Sequence, residues 1–190
     1  MRIGILALQG AFEEHAKVLD RLGVEHIELR KTADLKIPFD GLILPGGEST
    51  VQGKLLDELG MLLPLKERIE NGLPVLATCA GLILLAEKLS NDDHVYFGTL
   101  PVTVRRNAYG RQLGSFHTKS GFGSEQDVPM TFIRAPYIDS VGEDVHILAK
   151  VDENIVGVSY KNQIGVAFHP ELDEDTRIHQ LFLKKIICQE

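Results

Sequence analysis

The stretch Ala77-Thr78-Cys79-Ala80-Gly81 restricts the fold more than any other part of the chain. An apolar run, Leu73–Ala77, leads into it, and the helix-patterned run Leu82–Lys88 leads away. Small residues on both sides of a central side chain let a strand turn sharply into a helix and hold that side chain above the sheet edge. A cysteine at this position sits against the first amides of the helix, whose partial positive charge stabilises a thiolate. The same pentapeptide also accommodates Cys79 as a small buried apolar residue.

The rest of the chain supplies a sheet for this turn. Arg2–Leu8 reads as a buried strand, and Phe12, Ala16, Leu19 and Leu22 follow at helical spacing up to Gly23. Val24–Leu29 and Asp40–Leu44 read as strands, with Leu35–Phe39 as a loop between them. Met61–Asn71 reads as an amphipathic helix ending at Gly72. Short β-rich pieces follow, at Tyr96–Arg105, Thr131–Ile133, Val145–Val151, Ile155–Tyr160 and Ile164–Phe168, and a helix over Leu172–Glu190 closes the chain. The glycine-rich and polar segment Asn107–Asp127 reads as an excursion on the surface or at a site mouth. This pattern predicts one α/β domain over 1–190: a three-layer sandwich with a flavodoxin-like, mostly parallel central sheet, helices on both faces and a β-rich C-terminal half. Ligands of such sheets gather beyond the carboxyl ends of the strands.

Composition narrows the chemistry. The 190 residues carry a formal charge of −7 without a basic block, which argues against nucleic acid and anionic membranes as partners. Only Cys79 and Cys188 are present, too few for a disulfide framework. No apolar run approaches the roughly 18 residues of a membrane span. A cytoplasmic setting is the expectation, and Cys188, inside the closing helix, is expected to pack.

Two further stretches carry chemistry. Pro45-Gly46-Gly47-Glu48-Ser49-Thr50 follows a strand, so its glycines bring backbone amides close to a ligand and Ser49 or Thr50 is placed to cap the next helix. It is not a phosphate loop, because Leu55 stands where Ser or Thr would hold magnesium. Phe168-His169-Pro170-Glu171 ends the last strand, with Pro170 stopping it. Alternate residues of an extended chain point the same way, which sets a carboxylate beside an imidazole, the orienting arrangement of a catalytic triad. The scattered histidines include no pair at metal-ligand spacing.

In this order, Leu-Pro-Gly-Gly-Glu, Thr-Cys-Ala-Gly and His-Pro-Glu resemble the triad-type glutamine amidotransferase domains. Adding Ala7–Ala11, Arg106-Asn107, Gly110-Arg111-Gln112 and Phe132–Pro136 makes the chain similar to the glutaminase subunits of pyridoxal 5′-phosphate synthases over almost its whole length. The resemblance implies hydrolysis of L-glutamine to glutamate and ammonia without metal or cofactor. Cys79 would attack the amide, His169 would shuttle the proton and Glu171 would orient His169. The oxyanion donors would be the amides of Ala80 and of Gly46 or Gly47. Substrate contacts would fall at Gly46, Gly47, Glu48, Arg106, Ile133 and Arg134, with Glu48 on the α-ammonium and Arg106 or Arg134 on the α-carboxylate. The implied partner is a (β/α)8-barrel synthase subunit that consumes the ammonia and activates the glutaminase on docking. Glycines at Gly46-Gly47 and Gln9-Gly10 are the expected switch. Two alternatives remain: service to a different synthase, such as that of imidazole glycerol phosphate, and a non-catalytic regulatory subunit of the same fold.

Overall fold

A computed structural model describes residues 1–108 and 114–188. The expected motif Gly110-Arg111-Gln112 therefore lies outside the described residues. The chain opens as β1 (Arg2–Leu6), α1 (Phe12–Arg21), β2 (Glu25–Leu29), β3 (Gly41–Leu44), α2 (Ser49–Glu58) and α3 (Leu62–Glu70). It continues through β4 (Val75–Thr78), α4 (Ala80–Leu85), β5 (Ala86–Leu89), β6 (Leu100–Arg105), β7 (Ser115–Phe122) and β8 (Glu125–Ile133). It ends with β9 (Tyr137–Val141), β10 (His146–Val151), β11 (Asn154–Tyr160), β12 (Gln163–Val166) and α5 (Arg177–Ile187).

A ten-stranded sheet runs β2-β1-β3-β4-β12-β11-β9-β6-β5, with β10 paired beside β11, and β7 and β8 form a separate hairpin. The pairs from β2 to β12 are parallel, and those around β11 and β9 are antiparallel. The order of the first five strands is the flavodoxin-like one. Strands β3, β4 and β12 are buried along their whole lengths, as strands covered on both faces must be. Helices do lie on both faces. A side chain at Gly41 would strike Phe182 and Ile186 of α5, whereas one at Gly81 in α4 would strike Leu44. Residues 41 and 44 of a strand face opposite ways, so α5 and α4 cover opposite sides of β3.

Several local expectations give way to tertiary pairing. The helix after Cys79 stops at Leu85, because Ala86–Leu89 is drawn out to pair in parallel with β6. Asn107–Asp127 is not mere excursion: Ser115–Phe122 pairs in register with β8, burying Phe122, Val128, Met130 and Phe132 on its apolar face. Its polar content is the other, solvated face of an antiparallel ribbon. Tyr137–Val141 is an additional strand, and Leu35–Phe39 overlaps a 3-10 turn over Thr32–Lys36. The last parallel strand ends at Val166, and a 3-10 turn, Pro170–Leu172, precedes the closing helix, which begins only at Arg177. Neither Ser49 nor Thr50 caps α2: Glu48 is its N-cap, without a side-chain cap bond, because Ser49 is drawn into the buried first turn. Cys188 is exposed at the end of α5 rather than packed, since the helix's buried face stops at Leu183.

A tight packing constraint falls at Gly81, where a Cβ would stand 2.1 Å from the Leu44 carbonyl oxygen. Backbone cannot yield as a side chain does, so Gly81→Ala should cost about 3 kcal/mol, the upper range for overpacking. Gly121→Ala, where the nearest atom is 3.7 Å away, should stay within about 0.5 kcal/mol of the parent. Denaturant midpoints of the two variants check this; equal stability would remove the constraint.

Candidate active site

Because β4 is flanked by β3 and β12 in parallel, the chain leaves three neighbouring strands at one edge of the sheet. Leu44 pairs with Ala77, and Val166 with Thr78, so the loops that follow emerge side by side. Cys79 turns the corner with φ 48°, a left-handed conformation that a non-glycine residue adopts only under constraint. Its amide is anchored to the Val166 carbonyl at 2.8 Å, and Sγ lies 3.9 Å from the Ile133 carbonyl oxygen. Cys79 is 6% exposed, enough for its sulfur to line a cavity.

His169 stands over this corner. Its amide donates to the Thr131 carbonyl at 2.8 Å, which fixes the imidazole against β8. Nδ1 meets Glu171 Oε1 at 2.7 Å, and the ring lines the same cavity as Cys79. The 3-10 turn brings the carboxylate round to the ring, a role the sequence assigns to alternation along a strand. Burial favours the neutral ring, but hydrogen bonds and charge from Cys79 and Glu171 outweigh it and raise the His169 pKa to about 10. His169 is thus an imidazolium at neutral pH, with Glu171 hydrogen-bonded to its Nδ1.

The cavity is about 460 Å³ and is lined by Gln9, Gly47, Glu48, Ser49, Cys79, Ile83, Arg106, Asn107, Ile133, Arg134 and His169. All three triad candidates therefore converge, with Glu171 buried behind the ring. Gly46 packs directly beneath His169: a Cβ there would lie 2.2 Å from the ring. Its N–H donates to Thr78 Oγ1 at 2.9 Å and its carbonyl accepts from the Ala11 amide at 2.9 Å. The amides of Gly47 and Ala80 have no partner among the described residues. Two unpaired backbone donors beside a nucleophile are the arrangement that stabilises a developing oxyanion.

The two arginines differ. Arg106 is held by Asp92 at 2.7 Å, by Glu48 Oε1 at 3.3 Å and by Thr50 Oγ1 at 3.0 Å. Arg134 has φ 44° and is exposed, and its guanidinium has no partner among the described residues. Asp92 is a residue that sequence reasoning passed over; Arg106 and its other neighbours hold that carboxyl below the usual range, chiefly through the His94 amide and against the opposing effect of burial. Gln9, whose Oε1 accepts the Glu48 amide at 2.8 Å, was visible only as part of a motif. Gln52, Ile83 and Asn107 are also in or beneath the cavity, and of these only Asn107 falls in a stretch that carries the resemblance. Among the described residues no group of three or more His, Cys, Asp or Glu side chains could hold a metal ion.

Relatives match this chain closely. A curated protein of Desulfitobacterium hafniense named pyridoxal 5′-phosphate synthase subunit PdxT is 69% identical over 186 residues, covering 98% of this chain and 94% of its own. A protein of the same name from Streptococcus pneumoniae is 56% identical, covering 100% and 98%. A solved glutamine amidotransferase superposes with a TM-score of 0.92 at 41% identity, over 97% of this chain and 98% of that one. A structure of PurLQS from Thermotoga maritima, 18% identical with a TM-score of 0.64, shares the fold. The model of the SNO glutamine amidotransferase family matches residues 5–188, and the chain belongs to that family.

Proposed function

We propose that this chain is the glutaminase subunit of a pyridoxal 5′-phosphate synthase, hydrolysing L-glutamine through Cys79, His169 and Glu171. The carrying observation is that Cys79 and His169 line one cavity while Glu171 holds the far side of the imidazole at 2.7 Å. The sulfur of Cys79 attacks the side-chain amide carbon, and the carbonyl electron pair moves onto oxygen, facing the amides of Ala80 and Gly47. Collapse of this intermediate breaks the C–N bond while His169 gives its proton to the departing nitrogen, releasing ammonia. Acylation removes the negative charge from sulfur, so the ring, now neutral, takes a proton from water as that water attacks the thioester. Glutamate leaves, and the proton returns to the His169–Cys79 pair.

The charges at the rim suit a free amino acid. Glu48 receives the α-ammonium; Arg134, whose guanidinium is uncommitted, receives the α-carboxylate. Arg106 then acts on substrate through Glu48, which it braces together with Asp92. Gly46 contributes the floor under His169 rather than an oxyanion donor, because its amide is committed to Thr78. Ile133 forms a wall beside the sulfur. Ammonia passes to a partner synthase subunit with a (β/α)8 barrel, in the cytoplasm, and the whole chain serves as one glutaminase domain. No helix among the described residues is long and apolar enough to cross a membrane.

Three measurements test this reading. Ammonia release from glutamine should rise on adding the synthase subunit and fall at least about 10³-fold in Cys79→Ala. Equal rates in variant and parent would remove the triad. Arg134→Ala should raise KM at least about tenfold with a smaller change in kcat, since it removes ground-state binding; an unchanged KM would reassign the carboxylate contact. As pH rises through about 10, His169 loses its proton, so kcat/KM should fall on that alkaline limb. Glu171→Gln removes one source of the raised value and should move the limb to lower pH; an unmoved limb would contradict the assignment. The linked stability has the same sign: it is full below the unfolded imidazole value of about 6.5 and is lost above about 10.

A further inference from the structure

Behind the triad lies a buried polar cluster that the mechanism leaves unused. His15 of α1 and His179 of α5 are fully buried, with His15 Nδ1 2.9 Å from His179 Nε2. The other nitrogen of His15, Nε2, lies 3.3 Å from Thr78 Oγ1 and 3.5 Å from Glu171 Oε2. Glu171 Oε2 and His179 Nδ1 are both buried without a hydrogen bond. Two imidazoles in a core are costly, and an apolar pair would fill the space without that cost.

The unpartnered atoms decide where the protons sit. A neutral imidazole has one N–H and one lone pair. A hydrogen on His179 Nδ1 would be an orphaned buried donor, at a cost of about 1–3 kcal/mol. The hydrogen therefore belongs on Nε2, where it donates to His15 Nδ1. That leaves the His15 hydrogen on its own Nε2, aimed between Thr78 Oγ1 and Glu171 Oε2. The opposite tautomers would turn a lone pair toward the carboxylate.

Charge agrees with this assignment. Burial holds His15 well below its ordinary value, with His179 and the His169 cation acting in the same direction. Burial, then the charge of Arg21, pushes His179 down to about 3. The charged or titratable groups facing His15 are His179 from α5 and Glu171 and His169 from the turn after β12. Glu171 thus bonds one cation, His169, through Oε1 and faces one neutral N–H, 3.5 Å away, with Oε2.

We propose that His15, with its tautomer set by His179, is a positioning residue for the triad: its Nε2–H steadies the outer oxygen of Glu171 and the hydroxyl of Thr78. Thr78 Oγ1 also accepts the Gly46 amide, so one imidazole braces both the acid behind His169 and the glycine loop beneath it. The inference deepens the glutaminase reading and rests on it for its kinetic part.

The test combines 15N-histidine NMR of the full chain with glutaminase kinetics in the presence of the synthase subunit. In the parent, His15 and His179 should both be Nε2–H tautomers that do not titrate between about pH 5 and 9. His15→Leu should lower kcat about 10- to 100-fold, as loss of an orienting partner does, with KM nearly unchanged and the alkaline limb moved to lower pH. His15→Gln, whose amide can donate from near the Nε2 position, should restore most of both. An Nδ1–H tautomer or a titrating His15 would overturn the proposal, as would a folded His15→Leu with parental kcat and limb. If His15→Leu does not fold, the tautomers and His15→Gln decide. Absence of Cys79-dependent ammonia release from the parent would instead count against the glutaminase reading, and the tautomers would still decide the arrangement.

Discussion

The structure depends on a close approach at one corner, where the first turn of α4 lies against the end of β3. Only a residue without a side chain fits at Gly81, and the contact it permits is with backbone, the Leu44 carbonyl. That proximity lets β4 pass into α4 with no intervening loop, at the expense of a left-handed Cys79. The sulfur is consequently held by the chain's path and not by a rotamer choice alone. With β3 and β12 on either side of β4, the glycine loop and His169 become its neighbours by register. Strand order thus brings the three loops together, and the bond from the Gly46 amide to Thr78 Oγ1 fixes two of them against each other.

The antiparallel half of the chain closes the site. The amide of His169 is bonded to Thr131 of β8, while Ile133 and Arg134 come from the end of the same strand. Stacked Phe116 and Phe132, with Phe132 and Phe122 against Phe168, tie the hairpin to the segment carrying His169. Aromatic contacts of this kind, worth about 0.5–1.5 kcal/mol each beyond area burial, make the hairpin a fixed wall. The cavity is therefore bounded by parallel sheet on one side and by a ribbon of different topology on the other.

What was legible in the sequence was what depends on local pattern. The elbow, the buried parallel strands and the glycine loop each carry their signal in contiguous residues, and each lies where the pattern puts it. The losses share a cause. Ala86–Leu89 has good helix formers, yet it is a strand because β6 offers unpaired backbone. Ser115–Phe122 looked polar because one of its faces is solvated; the alternation of Val128, Met130 and Phe132 opposite was the signal that could have found the hairpin. Asp92 and His15 were unreadable for another reason. Their neighbours, Arg106 in one case and Glu171 and His179 in the other, are distant in sequence and become neighbours only through the fold.

Rigidity around the cysteine is uneven. Gly46 is pinned at its N–H by Thr78 and at its carbonyl by Ala11, so its peptide is committed on both sides. Glu48 is tied through its amide to the side chain of Gln9, and Gln52 donates to the backbone of Gln9 and Pro45. Gly47, between these anchors, has an amide without a partner, and a Cβ there would meet Gln9 Oε1 at 2.4 Å. A shift of the Gln9 side chain would release the Glu48 amide while leaving Gly46 bonded to Thr78. The freedom to reshape the backbone beside Cys79 is thereby concentrated in the Gly47–Glu48 peptide and its contact with Gln9, while the supports of Gly46 and His169 stay fixed.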